Sequence, residues 1–421
     1  MLLDKMATNI SGIPVVDFSA MSLQNESSVR EDSDAVNQLA DHVHQAFSTI
    51  GFVYLKNHGI PQEKIDSVFE TYDTFFNLHV QVKEKYAKKE GTSPNGWDAI
   101  ERESTNPDRP GDLKESFDVG AVYDENFNWP NTDVPNFQAN VMSIYKCLSD
   151  LALRVLSVMA VGLGLNPDAF AYAYEKRGTL LGGTQLRYNF YPMITDITKV
   201  KPGQIRCGEH TDYGGITLLI QDEVGGLEVT NIEGQFVPAR PMKGTVLVNV
   251  ADLMERWTAD KLKSTTASGE SRGKQVYSQT GTKKSLQAVN IGRFLVLLRH
   301  RFIVAHSETF GGKQFYCQTS DDLEVKNEAA HYWEKCQQSQ LYNINVSKHI
   351  GLTSYSSLFI QVHRVLIPED EIRRRVPRRS LVFFVDPDHE AVITCLDGSN
   401  KYPPITSKDW ISKKLEETYK Y

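Results

Sequence analysis

The chain has 421 residues, 40% of them hydrophobic and 24% charged, with a formal net charge of -7. This is the balance of a globular chain with ample core, in one large or two medium domains, and a negative charge without basic tracts excludes nucleic acid and anionic membranes as partners. The five cysteines (Cys147, Cys207, Cys317, Cys336, Cys395) are odd in number and never form a CxxC pair, which fits reduced thiols in a cytoplasmic protein.

Along the chain, Ile13-Pro-Val-Val-Asp-Phe18 reads as a short buried strand. Ser33 and Asp34 cap a helix whose Val36, Leu39, Ala40, Val43, Ala46 and Phe47 share one stripe. Met1 to Ile10 before it has no secretory h-region, and no uncharged stretch is long enough to span a membrane. Gly51-Phe-Val-Tyr-Leu55 is a strand closed by a turn at Asn57 to Pro61, and Ile65, Val68, Phe69, Tyr72, Phe75 and Phe76 mark a second helix. Residues 91–129, rich in Gly, Pro, Asn and Asp, read as mostly irregular. The longest helical pattern runs from Pro135 to about Leu163 and stops at Gly164 and Pro167. From Thr184 the texture becomes short runs separated by turns: 185–190, 217–220, 227–229, 245–250 and 380–385, the pattern of an antiparallel barrel or sandwich. A polar helix is expected from Ser407 to Tyr419.

His210-Thr-Asp212 puts an imidazole and a carboxylate at i and i+2, on one face of a strand or its end. Two His and one carboxylate on one face suit ferrous iron and leave positions open for cosubstrate and O2. A lone HxD triplet is weak evidence, and a surface turn would explain it as well. The triplet is followed, however, by Tyr213-Gly-Gly-Ile-Thr-Leu-Leu219, Gly225-Gly-Leu-Glu-Val229, Gly244-Thr-Val-Leu-Val-Asn-Val250, His363-Arg-Val365 and Arg378-Arg-Ser380, with Asn189-Phe-Tyr-Pro192 upstream. In that order the motifs resemble the plant-and-fungal type of 2-oxoglutarate-dependent dioxygenases, the superfamily that includes isopenicillin N synthase. Ile13-Pro-Val-Val-Asp17 and Gly51 to Ile60 fit the N-terminal domain of the same family. The likeness covers about residues 13–265 and 362–418, roughly three quarters of the chain.

The resemblance implies a mainly β fold with α elements: a double-stranded β-helix (jelly-roll) core and a helical N-terminal region. It implies that His210, Asp212 and His363 hold Fe(II), that Arg378 grips the distal carboxylate of 2-oxoglutarate, and that Ser380 adds a hydroxyl donor. Asn189 and Tyr191 match positions that contact the cosubstrate, while Phe384 and Phe117 are weaker pocket candidates beside their plain reading as core. The reaction would hydroxylate or desaturate a small molecule, with O2 consumed, succinate and CO2 released, and ascorbate supportive. An oxidase of the isopenicillin N synthase type, which does not use 2-oxoglutarate, shares the same triad and Arg-x-Ser. His58, His42, His44 and His389 read as structural or solvated.

The domains follow as 1–175 for the N-terminal region, 176–265 with 362–405 for the jelly roll, and 406–421 for the C-terminal helix. The likeness is broken by residues 266–361, an atypical insertion between two metal ligands in what the family builds as one strand. Ser356 to Gln361 can be encoded by a pyrimidine tract ending in CAG and Ala267-Ser268 by GCAAGT, so a translated retained intron is one reading. A genuine inserted module is another, and an inactive isoform is a third. His300, His306, His331 and His349 are decoys within it: His300-Arg301-Phe302 lacks a following Arg-x-Ser.

Overall fold

The computed structural model describes residues 12–25, 34–89, 94–104, 109–263, 303–309, 312–318 and 362–418. The chain packs as two units, Met1–Glu270 with Ser357–Tyr421, and Ser271–Ser356. No helix among the described residues is long and apolar enough to cross a membrane.

The first unit is a double-stranded β-helix. Its larger sheet has eight strands, among them β1 (Val15–Asp17), β2 (Phe52–Lys56), β3 (Gly96–Asp98), β4 (Glu115–Val119) and β5 (Gln185–Tyr191). Facing it is a four-stranded sheet that begins with β6 (Cys207–His210). The chain then passes through β7 (Ile216–Gln221), β8 (Leu227–Thr230), β9 (Phe236–Pro238) and β10 (Thr245–Val250). In the second unit β11 (Ile303–Thr309) and β12 (Gly312–Gln318) form an antiparallel hairpin. The first unit resumes with β13 (His363–Val365) and β14 (Arg378–Val385). The larger sheet runs in the order β1-β2-β10-β7-β14-β5-β4-β3, and the smaller in the order β6-β13-β8-β9.

Two cores follow from the period of two along these strands. Leu381, Phe383 and Val385 of β14 join Leu186 and Tyr188 of β5 in a core shared with the helices. Those helices are α1 (Asp34–Thr49), α2 (Gln62–Phe76) and α3 (Phe137–Gly162), with α1 and α2 both packed on α3. The alternate residues face the smaller sheet, where Phe52, Tyr54, Tyr191, Leu247, Leu227, Val229 and Val365 form a second core. A short helix α4 (Asp252–Trp257) follows β10, and α5 (Ser407–Thr418) ends the described chain; the expected terminus at Tyr419 lies outside the described residues.

The stretch expected to be mostly irregular, 91–129, is so among its described residues, yet it also contributes the short strands β3 and β4 to the sheet edge. Its strand signal is masked because one face carries charge: Asp98, Ser116 and Asp118 are buried polar groups, and the charged ones are satisfied by ion pairs rather than by apolar neighbours. His58 is buried and structural, its Nδ1 accepting from the Ile60 N–H at 3.2 Å. Of the decoy histidines, His300, His331 and His349 lie outside the described residues, and of His306 only the backbone is described.

Candidate metal centre

Asp212 follows the end of β6, and His363 opens β13, directly opposite His210 in the antiparallel register. One ligand atom from each of the three residues lies within 4.8 Å of the others. The ring centroids of His210 and His363 are 4.1 Å apart, and Phe52 from β2 meets the His363 ring edge-on at 6.5 Å. The Nδ1 of His210 is 2.8 Å from the Gly208 carbonyl. A carbonyl only accepts, so Nδ1 carries the hydrogen and Nε2 presents its lone pair to a metal. Burial opposes charge on this ring, but Cys207, Asp212 and the Gly208 carbonyl raise its pKa to about 9, so metal binding displaces a proton.

Burial alone would raise Asp212, yet His363 and His210 together with hydrogen bonds from Thr217 and Asn249 hold its carboxyl below the usual range. Asn249 of β10 donates Nδ2 to Asp212 Oδ2 at 2.8 Å. The loop beyond the carboxylate is glycine for want of room: a Cβ on Gly215 would lie 2.5 Å from the Tyr174 hydroxyl and 2.6 Å from the Val385 carbonyl. From the other side, α5 braces this loop through Trp410 Nε1, which donates to the Tyr213 carbonyl at 2.8 Å.

Arg378 and Ser380 lie on the barrel-facing side of β14 and are each 1% exposed, unlike the exposed Arg373 and Arg375 just before them in sequence. Arg378 Nε donates to the Gly225 carbonyl at 2.8 Å, a carbonyl presented by a Gly225-Gly226 turn with φ of 75° and 94°. Asn189 pairs across to Ser380, and Tyr191 to Arg378, whose guanidinium lies 4.8 Å from the Tyr191 ring centre. The Oδ1 of Asn189 is buried without a hydrogen-bond partner among the described residues. Phe384 is on the same face as Ser380, half-buried, with the Arg187 guanidinium 5.9 Å from its ring centre.

Phe117 is not on this side. It is fully buried among Tyr72, Phe75 and Phe137, because odd-numbered positions of β4 face the helices and even-numbered ones the barrel. The pocket role expected for it gives way to a core role. Sequence reasoning missed Asn249, Arg206 and Gln221: Asn249 is a lone polar residue in the apolar run Thr245–Val250, while Arg206 and Gln221 stand near other polar residues and carry no signal of their own.

Comparison with known proteins gives two family matches: the non-haem dioxygenase in morphine synthesis N-terminal family over residues 13–139, and the 2OG-Fe(II) oxygenase superfamily over residues 183–281. The second match ends inside the expected insertion and includes neither His363 nor Arg378. The chain is 35% identical over 253 residues to proline hydroxylase buaE of Petromyces alliaceus, covering 57% of this chain and 75% of that protein. It is 33% identical over 240 residues to the 2-oxoglutarate-dependent dioxygenase ecdK of Aspergillus rugulosus, covering 52% of this chain and 70% of that protein. Among solved structures, a full-length Neurospora crassa protein in complex with alpha-KG superposes with a TM-score of 0.65 at 25% identity, covering 98% of this chain and 99% of that one.

Proposed function

The chain belongs to the 2OG-Fe(II) oxygenase superfamily, and from that premise we propose that His210, Asp212 and His363 are its iron ligands and Arg378 and Ser380 its cosubstrate grip. The protein is an Fe(II)- and 2-oxoglutarate-dependent oxygenase acting on a small molecule. The observation that carries the assignment is the convergence of three ligand atoms within 4.8 Å, with the His210 tautomer fixed by the Gly208 carbonyl. The donor set fits ferrous iron: two imidazoles and one carboxylate. When bound, the iron and 2-oxoglutarate supply the oxidising chemistry, in which O2 is consumed and the cosubstrate leaves as succinate and CO2.

This chain's residues do the rest. Asn249 and Thr217 hold the Asp212 carboxylate ionised and oriented. The Arg378 fork offers planar paired donors to a carboxylate, with Ser380 Oγ 3.4 Å from its Nη1. Asn189, whose Oδ1 has no partner among the described residues, and Tyr191 stand opposite Ser380 and Arg378 on β5. Phe384 and the cation above it, Arg187, form the outer wall, which suits a substrate with both an apolar and a polar part.

Residues 266–361 are an insertion in this reading, and the N-terminal strands complete the barrel sheet. The free thiols Cys147, Cys207 and Cys395 support a cytoplasmic location. The test is succinate release from 2-oxoglutarate by the full chain with Fe(II), O2 and ascorbate. Turnover that disappears in Asp212→Asn is the expected result; turnover that persists there would overturn the ligand assignment. Succinate formation also separates this reading from an oxidase that dispenses with the cosubstrate.

A further inference from the structure

Four residues before His210, Arg206 is buried completely, 0% exposed, and its Nε and Nη1 have no hydrogen-bond partner among the described residues. Its Nη2 reaches the Val376 carbonyl at 3.4 Å, near the limit of a hydrogen bond. Val376 is two residues before Arg378, so this contact ties Arg206 to the entry of β14. Burial first, and then the Arg378 charge, lower the Arg206 pKa to about 10, with Tyr191 and Asp222 opposing. The Asp222 carboxylate is already engaged, accepting from the Arg379 N–H at 2.7 Å and its Nε at 3.3 Å.

Arg206 and Arg378 are thus both buried, joined through the Val376 carbonyl two residues before Arg378, and among the described residues neither makes an ion pair with a carboxylate. On the neighbouring edge of the barrel, by contrast, Arg187 is paired with both Asp118 and Glu103. An uncompensated buried cation is costly, and a fold that keeps one leaves a place for an anion. Arg378 is itself under-used, with Nη1 at 3.4 Å from Ser380 Oγ and Nη2 at 3.3 Å from Gln221 Oε1.

We propose that Arg206 is a second carboxylate-binding residue of the cosubstrate site, gripping the distal carboxylate of 2-oxoglutarate together with Arg378. The inference rests on the reading of Arg378 and Ser380 given above. A carboxylate accepts about four hydrogen bonds. The Arg378 fork supplies two and the Ser380 hydroxyl one, and Arg206 supplies the fourth. A second guanidinium adds both a donor and charge where the single distal carboxylate sits, so Arg206 favours 2-oxoglutarate over 2-oxo acids that lack that group.

The test uses the full chain loaded with Mn(II) in place of Fe(II). Binding of 2-oxoglutarate and of 2-oxopentanoate, the same carbon chain without the distal carboxylate, is measured by calorimetry for Arg206→Met, Arg206→Lys and Arg378→Met. Thermal midpoints are measured without ligand. Loss of a charged hydrogen bond predicts a roughly ten- to hundred-fold rise in the 2-oxoglutarate Kd for Arg206→Met, with 2-oxopentanoate changed less than about threefold. The ligand-free midpoint should hold or rise, since one of two repelling buried charges has gone. Arg206→Lys, which keeps a charge but loses the fork, should weaken 2-oxoglutarate less, and it carries the test if the Met variant does not fold.

A lowered midpoint with unchanged 2-oxoglutarate affinity would make Arg206 a structural cation and overturn the proposal. An equal loss for both 2-oxo acids would overturn it too. If Arg378→Met weakens 2-oxoglutarate binding and Arg206→Met does not, only the inference falls. If Arg378→Met has no effect, the cosubstrate reading falls first.

Discussion

The metal centre depends on single hydrogen bonds behind the ligands. Asn249 is 5% exposed and holds Asp212 Oδ2 at 2.8 Å; replacing it with leucine keeps the volume and removes the donor. Changes to such supporting groups typically weaken metal binding about 10- to 100-fold. Asn249→Leu is therefore expected to raise the Kd for Fe(II), or for Mn(II) as its stand-in, by that factor in a metal titration. Unchanged affinity would remove Asn249 from the site. The His-x-Asp and His-Arg-Val motifs were legible because ligand types and spacing are local. Asn249 was not, because its meaning lies in its partner across the sheet, Thr217, and in the carboxylate next to that strand. Arg206 was hidden for the same reason: its neighbour Arg378 is distant in sequence.

At the scale of elements, two attachments frame the barrel. Helix α5 clamps the metal loop: Trp410 bonds the Tyr213 carbonyl, and Lys414 pairs with Asp252. Asp252 in turn accepts from Thr211 Oγ1 at 3.1 Å and donates its N–H to the Asp212 carbonyl at 3.0 Å. A chain ending at Pro404 should lose about tenfold in metal affinity and melt at a lower temperature, and intact affinity after truncation would show that the clamp is idle. On the opposite edge, β3 and β4 are held to β5 by Lys88, Lys114 and Arg187 against Asp98, Glu103 and Asp118. Burial alone would raise Glu103 and Asp118, but Arg187 with Lys88, and Lys114 for Glu103, hold both below the usual carboxylate range. A carboxyl lowered in the folded state contributes stability above its unfolded pKa, about 4, and loses it as pH falls below. The unfolding midpoint should therefore drop steeply below about pH 4. Arg187→Leu, which leaves Asp118 with Lys88 alone and Glu103 with Lys114 alone, should cost about 1–3 kcal/mol at neutral pH and flatten that acid limb; a neutral-pH denaturant midpoint equal to the parent's would refute the network's role. This edge was illegible in sequence because its inward face is charged, whereas the strands from Thr184 onward carried their apolar alternation openly.

For the whole molecule, the question is how one unit tolerates residues 266–361 between two of its metal ligands. Its strand order does not depend on them: β13 sits between β6 and β8 immediately after Val362, and the Val362 carbonyl accepts from Thr230 at 3.0 Å. On the departing side, the Lys263 N–H donates to the Phe47 carbonyl at 2.9 Å. The His363 ring meets Phe52, and Phe47 and Phe52 flank one α1–β2 corner. Both ends of the intervening chain are thus tied to the same corner, and Ser271–Ser356 packs as a unit of its own. Closure entropy rises by only about 0.6 kcal/mol per doubling of a connection, so lengthening it from about three residues to about a hundred costs about 3 kcal/mol. A fold of ordinary stability, about 5–15 kcal/mol, survives that. A chain joining Thr265 directly to Val362 should therefore bind metal and 2-oxoglutarate as the full chain does, and unfold at a higher denaturant concentration by up to about 3 kcal/mol. Turnover to succinate in both forms would make residues 266–361 an appendage, and turnover in the shortened form alone would make this chain an inactive isoform of an active fold. Loss of metal binding on joining the ends would mean that the long connection is needed to bring His363 into register with His210.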